Sequence, residues 1–143
     1  QTASRLYFSA FQMETGREPW ALPLSSSFYM LAPCRLTDSR ESGTPLRSGE
    51  VRSIAAAGRC NVPPTARGLS VNLTVVVPSS AGSLSAATDP DAVPLAPTIS
   101  FAPDRTRANN ALLALDAAGR FSLFGAFPTG GTEVVVDVNA YFE

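Results

Sequence analysis

The eight residues PCRLTDSR, Pro33 to Arg40, hold a cysteine, two arginines and an aspartate. A nucleophile, a carboxylate and two guanidiniums at that density have the makings of an active site. They also have the makings of a structural brace. In an extended segment Asp38 and Arg40 stand two apart and share a face, so they are expected to pair with each other or with a loop backbone. Arg35 has the opposite parity to Asp38, so the three charges need not converge. The expected role of Asp38 and Arg40 is a brace.

The rest of the chain decides which chemistries remain. Its 143 residues contain no histidine, and all 11 basic residues are arginine. Without histidine no Ser-His-Asp or Cys-His nucleophile can be assembled. Histidine-ligated zinc, copper or iron is likewise excluded. Without lysine there is no Schiff base, no phosphate-binding P-loop and no isopeptide crosslink. A carboxylate pair or a cysteine is what remains for catalysis. Asp38, Asp137 and Glu133 are the carboxylates inside patterned segments, and nothing in the sequence brings two of them to one cleft, as glycoside hydrolysis requires. Asp89, Asp91 and Asp104 lack the spacing of a calcium loop. The expectation is a protein with no enzymatic activity, no cofactor and no metal.

Cys34 and Cys60 are the two cysteines. In an oxidising compartment they are expected to form one disulfide, whose loop of about 25 residues is worth ~3 kcal/mol on the loop-entropy model. The alternative is two free thiols, but no histidine is present to activate one. The chain starts at Gln1, which suggests a mature N-terminus left after removal of a secretory signal. The expected location is therefore extracellular or on a cell surface. The net charge of −1 gives no electrostatic case for nucleic acid. No apolar run approaches the ~20 residues that span a bilayer.

The elements that must position these residues read as strands. In LSVNLTVVV, Leu69, Val71, Leu73, Val75 and Val77 alternate with Ser70, Asn72 and Thr74. PSSAG, from Pro78 to Gly82, is expected to be a turn, with SLSAAT as the returning strand. ALLAL, from Ala111 to Leu115, and FSLF are expected to be two hairpin strands joined by Asp116 to Arg120. In EVVVDVNAYF, Val134, Val136, Val138, Ala140 and Phe142 are expected to face one way. One short helical turn is expected near Pro103 to Asn109. Twelve prolines and ten glycines punctuate the chain. The fold class is therefore all-β: a β-sandwich or partly open barrel, immunoglobulin-like or jelly-roll-like, with an extra N-terminal strand.

That extra strand is RLYFSAF, Arg5 to Phe11. Leu6, Phe8 and Ala10 lie on one face; Tyr7 and Phe11 lie on the other. METGREPWALPLSSS, Met13 to Ser27, reads as a tether. The expected division is residues 1–27 as strand and tether and residues 28–143 as the sandwich. A strand this apolar is an aggregation hazard if left open, so it must pair. It pairs in cis, with its own sheet, or in trans, with a neighbouring subunit.

The order FYMLAPCRLTDSR, GRCNVPPTARGLSVNLTVVVPSSAGSLSA, RANNALLALDAAGRFSLF and TEVVVDVNAYF resembles a β-rich repeat domain of secreted and surface proteins of actinobacteria, acidobacteria and related bacteria. The family pattern is PCR-x-x-DTR, a cysteine before V-P, NVTVV-x-P and a closing VVVDV-x-GYF. The resemblance covers about Phe28 to Phe142. It departs at Ser39, where the family has threonine, and at Ala140, where it has glycine. The resemblance implies an extracellular domain, often in tandem, and supplies no activity. Here such a domain carries its own connector strand. The expectation is a structural subunit, a filament built by strand donation among copies of itself, with Leu6, Tyr7, Phe8, Ala10 and Phe11 at the subunit interface. The alternative is a monomeric carbohydrate- or surface-binding module that uses Tyr7, Phe8, Phe11 and Trp20 to stack on glycans. Asn72 begins an N-x-T sequon, but in a strand it simply takes the polar face.

Overall fold

Among the described residues, alternating apolar positions build two antiparallel sheets that pack face to face as a sandwich, with no closed barrel. The computed structural model describes residues 27–92 and 94–143, and the backbone of 5–12 and 16–23. The strands are β1 (Arg5–Gln12), β2 (Gly16–Pro23), β3 (Phe28–Asp38), β4 (Leu46–Arg47), β5 (Val51–Ala55), β6 (Gly68–Val76), β7 (Gly82–Ala87), β8 (Ile99–Phe101), β9 (Arg107–Ala114), β10 (Arg120–Ala126) and β11 (Gly131–Phe142). One helical turn, α1, covers Ser39–Ser42. One sheet runs β3-β11-β6-β9, with β4 also on β11, and the other runs β5-β10-β7-β8. Among the described residues no helix is long and apolar enough to cross a membrane.

The core lies between the sheets. Leu69, Val71, Leu73 and Val75 of β6 are fully buried, as are Val136 and Val138 of β11. Leu84 of β7 and Phe121 and Leu123 of β10 meet them from the other sheet. Removing each such side chain from water stabilises the fold by roughly 1.5–3 kcal/mol before entropy is counted.

Two expected hairpins are crossovers instead. β6 pairs with β11 and β9, while β7 pairs with β10 and β8, so the turn after β6 carries the chain from one sheet to the other. The same holds for β9 and β10. Between them Asp116 Oδ1 accepts from the N–H groups of Ala118 and Arg120, a tight turn of hairpin type. The helical turn expected near Pro103 to Asn109 is absent, and Arg107 to Asn109 belong to β9. Asp38 supplies a helix start at Ser39 in its place, since its side chain accepts from the Arg40 N–H. Gly43 closes that helix at φ +64, a conformation that costs glycine nothing.

The expected tether is also partly a strand. Gly16–Pro23 pairs antiparallel with Arg5–Gln12, and the two form a two-stranded sheet of their own. The expected interface residues Leu6, Tyr7, Phe8, Ala10 and Phe11 lie on the backbone of β1, and their side chains are outside the described residues.

Candidate functional site

Two β-bulges shape the outer face of the five-stranded sheet. On β3, Thr37 pairs with Val136 but Arg35 pairs with Asp137, leaving Leu36 as the extra residue. The insertion reverses side-chain parity. Arg35 therefore shares a face with Asp38, against the expectation from simple alternation. On β11 the register skips Asn139: Val138 pairs with Val71 and Ala140 with Ser70. Tyr141 then falls opposite Leu69, on the core side, and Ala140 and Phe142 turn outward. The expected single face of Val134 to Phe142 thus holds only as far as Val138.

The bulge on β3 assembles a chain of four charges. Arg35 donates to Asp137 through Nε at 2.9 Å and Nη2 at 3.2 Å. Its Nη1 donates to Asp38 Oδ2 at 2.9 Å. Arg40 donates to the same carboxylate through Nε at 2.8 Å, Nη2 at 2.6 Å and its backbone N–H at 3.1 Å. The Asp38 side chain is only 2% exposed. The hydrogen bond from the Arg40 side chain holds its carboxyl well below the usual range, at about 2, aided by the Arg40 N–H and the charges of both arginines. Such a carboxylate stays ionised and has its oxygens occupied, so it cannot act as a general acid near neutral pH. Asp38 and Asp137 lie on this face with Arg35 between them, each bonded to its guanidinium. Glu133 lies apart and accepts from the Ser39 hydroxyl, which in turn accepts from the Val134 N–H at 2.8 Å.

Cys34 and Cys60 form the expected disulfide and pack against the core beside this network. Above them an open hollow of about 470 Å³ is lined by Pro33, Cys34, Arg35, Asn72, Asp137 and Asn139, with Val138. Register carries a polar row across the sheet from Arg35 through Asp137 and Asn72 to Asn110. Asp89 accepts from the Asp91 N–H within its own turn. Among the described residues no three acidic or cysteine side chains gather as a metal site.

The sheet edges form the second candidate. β9 pairs with β6 over eight residues without a bulge, and among the described residues its other edge has no strand partner. Leu112 on it is 66% exposed. Opposite, β8 pairs with β7 only from Gly82 to Leu84, so Ala86 and Ala87 have a strand on the β10 side alone. Between the free edge of β9 and this end of β7, where the Ala86 N–H donates to Thr98 Oγ1 at 3.0 Å, lies a hollow of about 300 Å³ lined by Ala86, Ala87, Thr88, Pro94, Leu113 and Ala114, with Leu112 on its rim. At the far edge of the same sheet, Phe28, Tyr29 and Met30 of β3 are exposed. Phe28 lies against Phe142 and Tyr29 stacks on Tyr141. Sequence reasoning missed these edges. Their signal was the adjacent pair Leu112-Leu113, because two leucines in succession on a strand force one outward.

No family model matches the chain, and no curated protein matches it. Among solved structures, the coat protein of Tobacco streak virus is similar at 10% sequence identity and a TM-score of 0.40, over 82% of this chain and 88% of that one.

Proposed function

We propose that this protein is a structural subunit of an extracellular or cell-surface assembly, in which the N-terminal strand of one copy pairs with a neighbouring copy. One observation carries the reading. β1 and β2 form a sheet to themselves, while β9 and β3 stand at the edges of the sandwich. A two-stranded ribbon is marginal in water and gains stability from a third strand, and an open edge is a template for one. Pairing of this kind is head-to-tail, so it builds a filament when its rotation does not close. The disulfide fits an oxidising location. Light scattering and negative-stain imaging of the full chain test the proposal. Polymers are expected, and Phe8→Asp should reduce them to monomers. A monodisperse monomer at all concentrations overturns it.

The 470 Å³ hollow supports a second reading, a carbohydrate-binding module, because Asn72, Asn139 and Asp137 offer the donors and acceptors that sugar hydroxyls use. Glycan-array binding lost in Asn72→Ala would establish it.

A further inference from the structure

We infer that the acceptor for the N-terminal strand is the gap between β7 and β9, and that its occupant is β1 of a second copy. This rests on the assembly reading above and adds the surface it uses. Among the described residues the outer strands of the sandwich are β3, β9, β5, β8 and the two-residue β4, and they are not equivalent. β3 is interrupted by bulges and contains Pro33, which has no N–H to donate. β5 covers five residues and β8 only three. β9 keeps one register from Arg107 to Ala114 with no proline and no bulge. A long regular edge is the one that recruits another strand.

The gap beside β9 has the shape of a missing strand. Asn109 Nδ2 donates to the Thr98 carbonyl at 2.8 Å, which ties the sheets together at one end of β9. Toward Ala114 they part, and the opening is lined by alanine, leucine and proline with Thr88 as its one polar side chain. Leu112 on its rim is 66% exposed, and Leu95, next to Pro94 of the lining, is 94% exposed. Two bare leucines beside an apolar opening mark a surface that something covers.

β1 matches the free edge of β9 in length, and its apolar alternation suits the opening at the Leu112–Ala114 end of that edge. It has eight residues, as β9 does. Leu6, Phe8 and Ala10 alternate along it, so one face enters the gap toward Ala86, Ala87 and Leu113. Tyr7 and Phe11 then fall on the outer side of the sheet, where Leu112 stands. β1 contains no proline, so no N–H is missing from the edge it turns away from β2, whereas β2 contains Pro19 and Pro23. Of the two hairpin strands, β1 is therefore the one that pairs.

The experiment compares the full-length protein with Leu112→Asp and with Met30→Asp, a still more exposed site on the far edge of the same sheet. Assembly is read by sedimentation and negative stain, and folding by thermal melts. Leu112→Asp is expected to melt like the parent and to lower the assembled fraction about a hundredfold or more, because a lone carboxylate in an apolar seam has no partner. Met30→Asp should assemble normally. Undiminished assembly of Leu112→Asp overturns the acceptor while leaving the assembly reading standing, as does equal loss in both variants. A monomeric parent overturns the assembly reading itself. A fold-independent measurement accompanies these: a synthetic Arg5–Gln12 peptide added to the parent protein should shorten its polymers, and the same peptide carrying Phe8→Asp should not. Polymer lengths indifferent to both peptides overturn the inference.

Discussion

Arg35 and Asp38 stand on one face of the sheet although they are three positions apart, and their side chains meet at 2.9 Å. The extra residue Leu36 makes this possible. It converts an odd spacing into a shared face and delivers Asp38 to two guanidiniums at once. The segment that looks reactive in sequence is thereby saturated with internal hydrogen bonds.

Asp38 makes stability depend on acid. Its folded pKa of about 2 lies below its ordinary value of 3.8. The unfolded chain therefore binds more protons across that interval, and stability present above about pH 4 is lost as pH falls toward about 2. Melting temperature should drop over this window in the parent protein. The drop should be shallower in Asp38→Asn, which starts less stable at neutral pH. Parallel pH profiles in the two proteins would refute this assignment.

Reduction of the Cys34–Cys60 bridge, whose sequence separation is 26, should lower unfolding free energy. On the loop-entropy model the loss is about 3 kcal/mol. Denaturant titration with and without a thiol reductant measures it. An unchanged midpoint after verified reduction would contradict the prediction.

The adjacent leucines of β9 should respond oppositely to truncation. Leu113 is buried and Leu112 is not. Leu113→Ala should cost about 2–4 kcal/mol by opening a cavity in the core. Leu112→Ala should stay within about 0.5 kcal/mol of the parent. Chemical denaturation of both, at concentrations too low for assembly, decides the matter; equal costs would mean that β9 sits in a different register.

Gly119 holds the tight turn between β9 and β10 at φ +69, where an added Cβ would overlap the Ala57 methyl. Gly119→Ala adds both left-handed strain and a clash with that methyl. The expected cost is about 1–3 kcal/mol, larger than strain alone. Pairing it with Ala57→Gly should recover part of the loss, which a double-mutant cycle would show.

The fold class was legible because period-two alternation in β6 and β11 reports a buried face directly. The disulfide was legible from a lone cysteine pair. Sheet membership was not, since a tight turn such as Asp116 to Arg120 looks the same whether its strands pair or part. The face of Arg35, Ala140 and Tyr141 was hidden for another reason. A bulge is one residue of pairing slip, and no residue type in RLTD or VNA announces it. The gap beside β9 depends on where β8 stops, a matter of tertiary pairing that no local pattern encodes.

Ser27 and Glu143 exchange backbone hydrogen bonds at 2.8 and 3.0 Å, so the ladder of β3 on β11 runs to the last residue. In a polymer, tension on the N-terminal hairpin would enter at Ser27 and peel this ladder like a zipper, one bond at a time. Cys34 lies seven residues along, covalently fastened to Cys60 in a different part of the chain. In such a polymer the bridge would act as a zipper stop: past Cys34 the load would pass through the disulfide to Cys60 instead of unfastening the next rung of the edge.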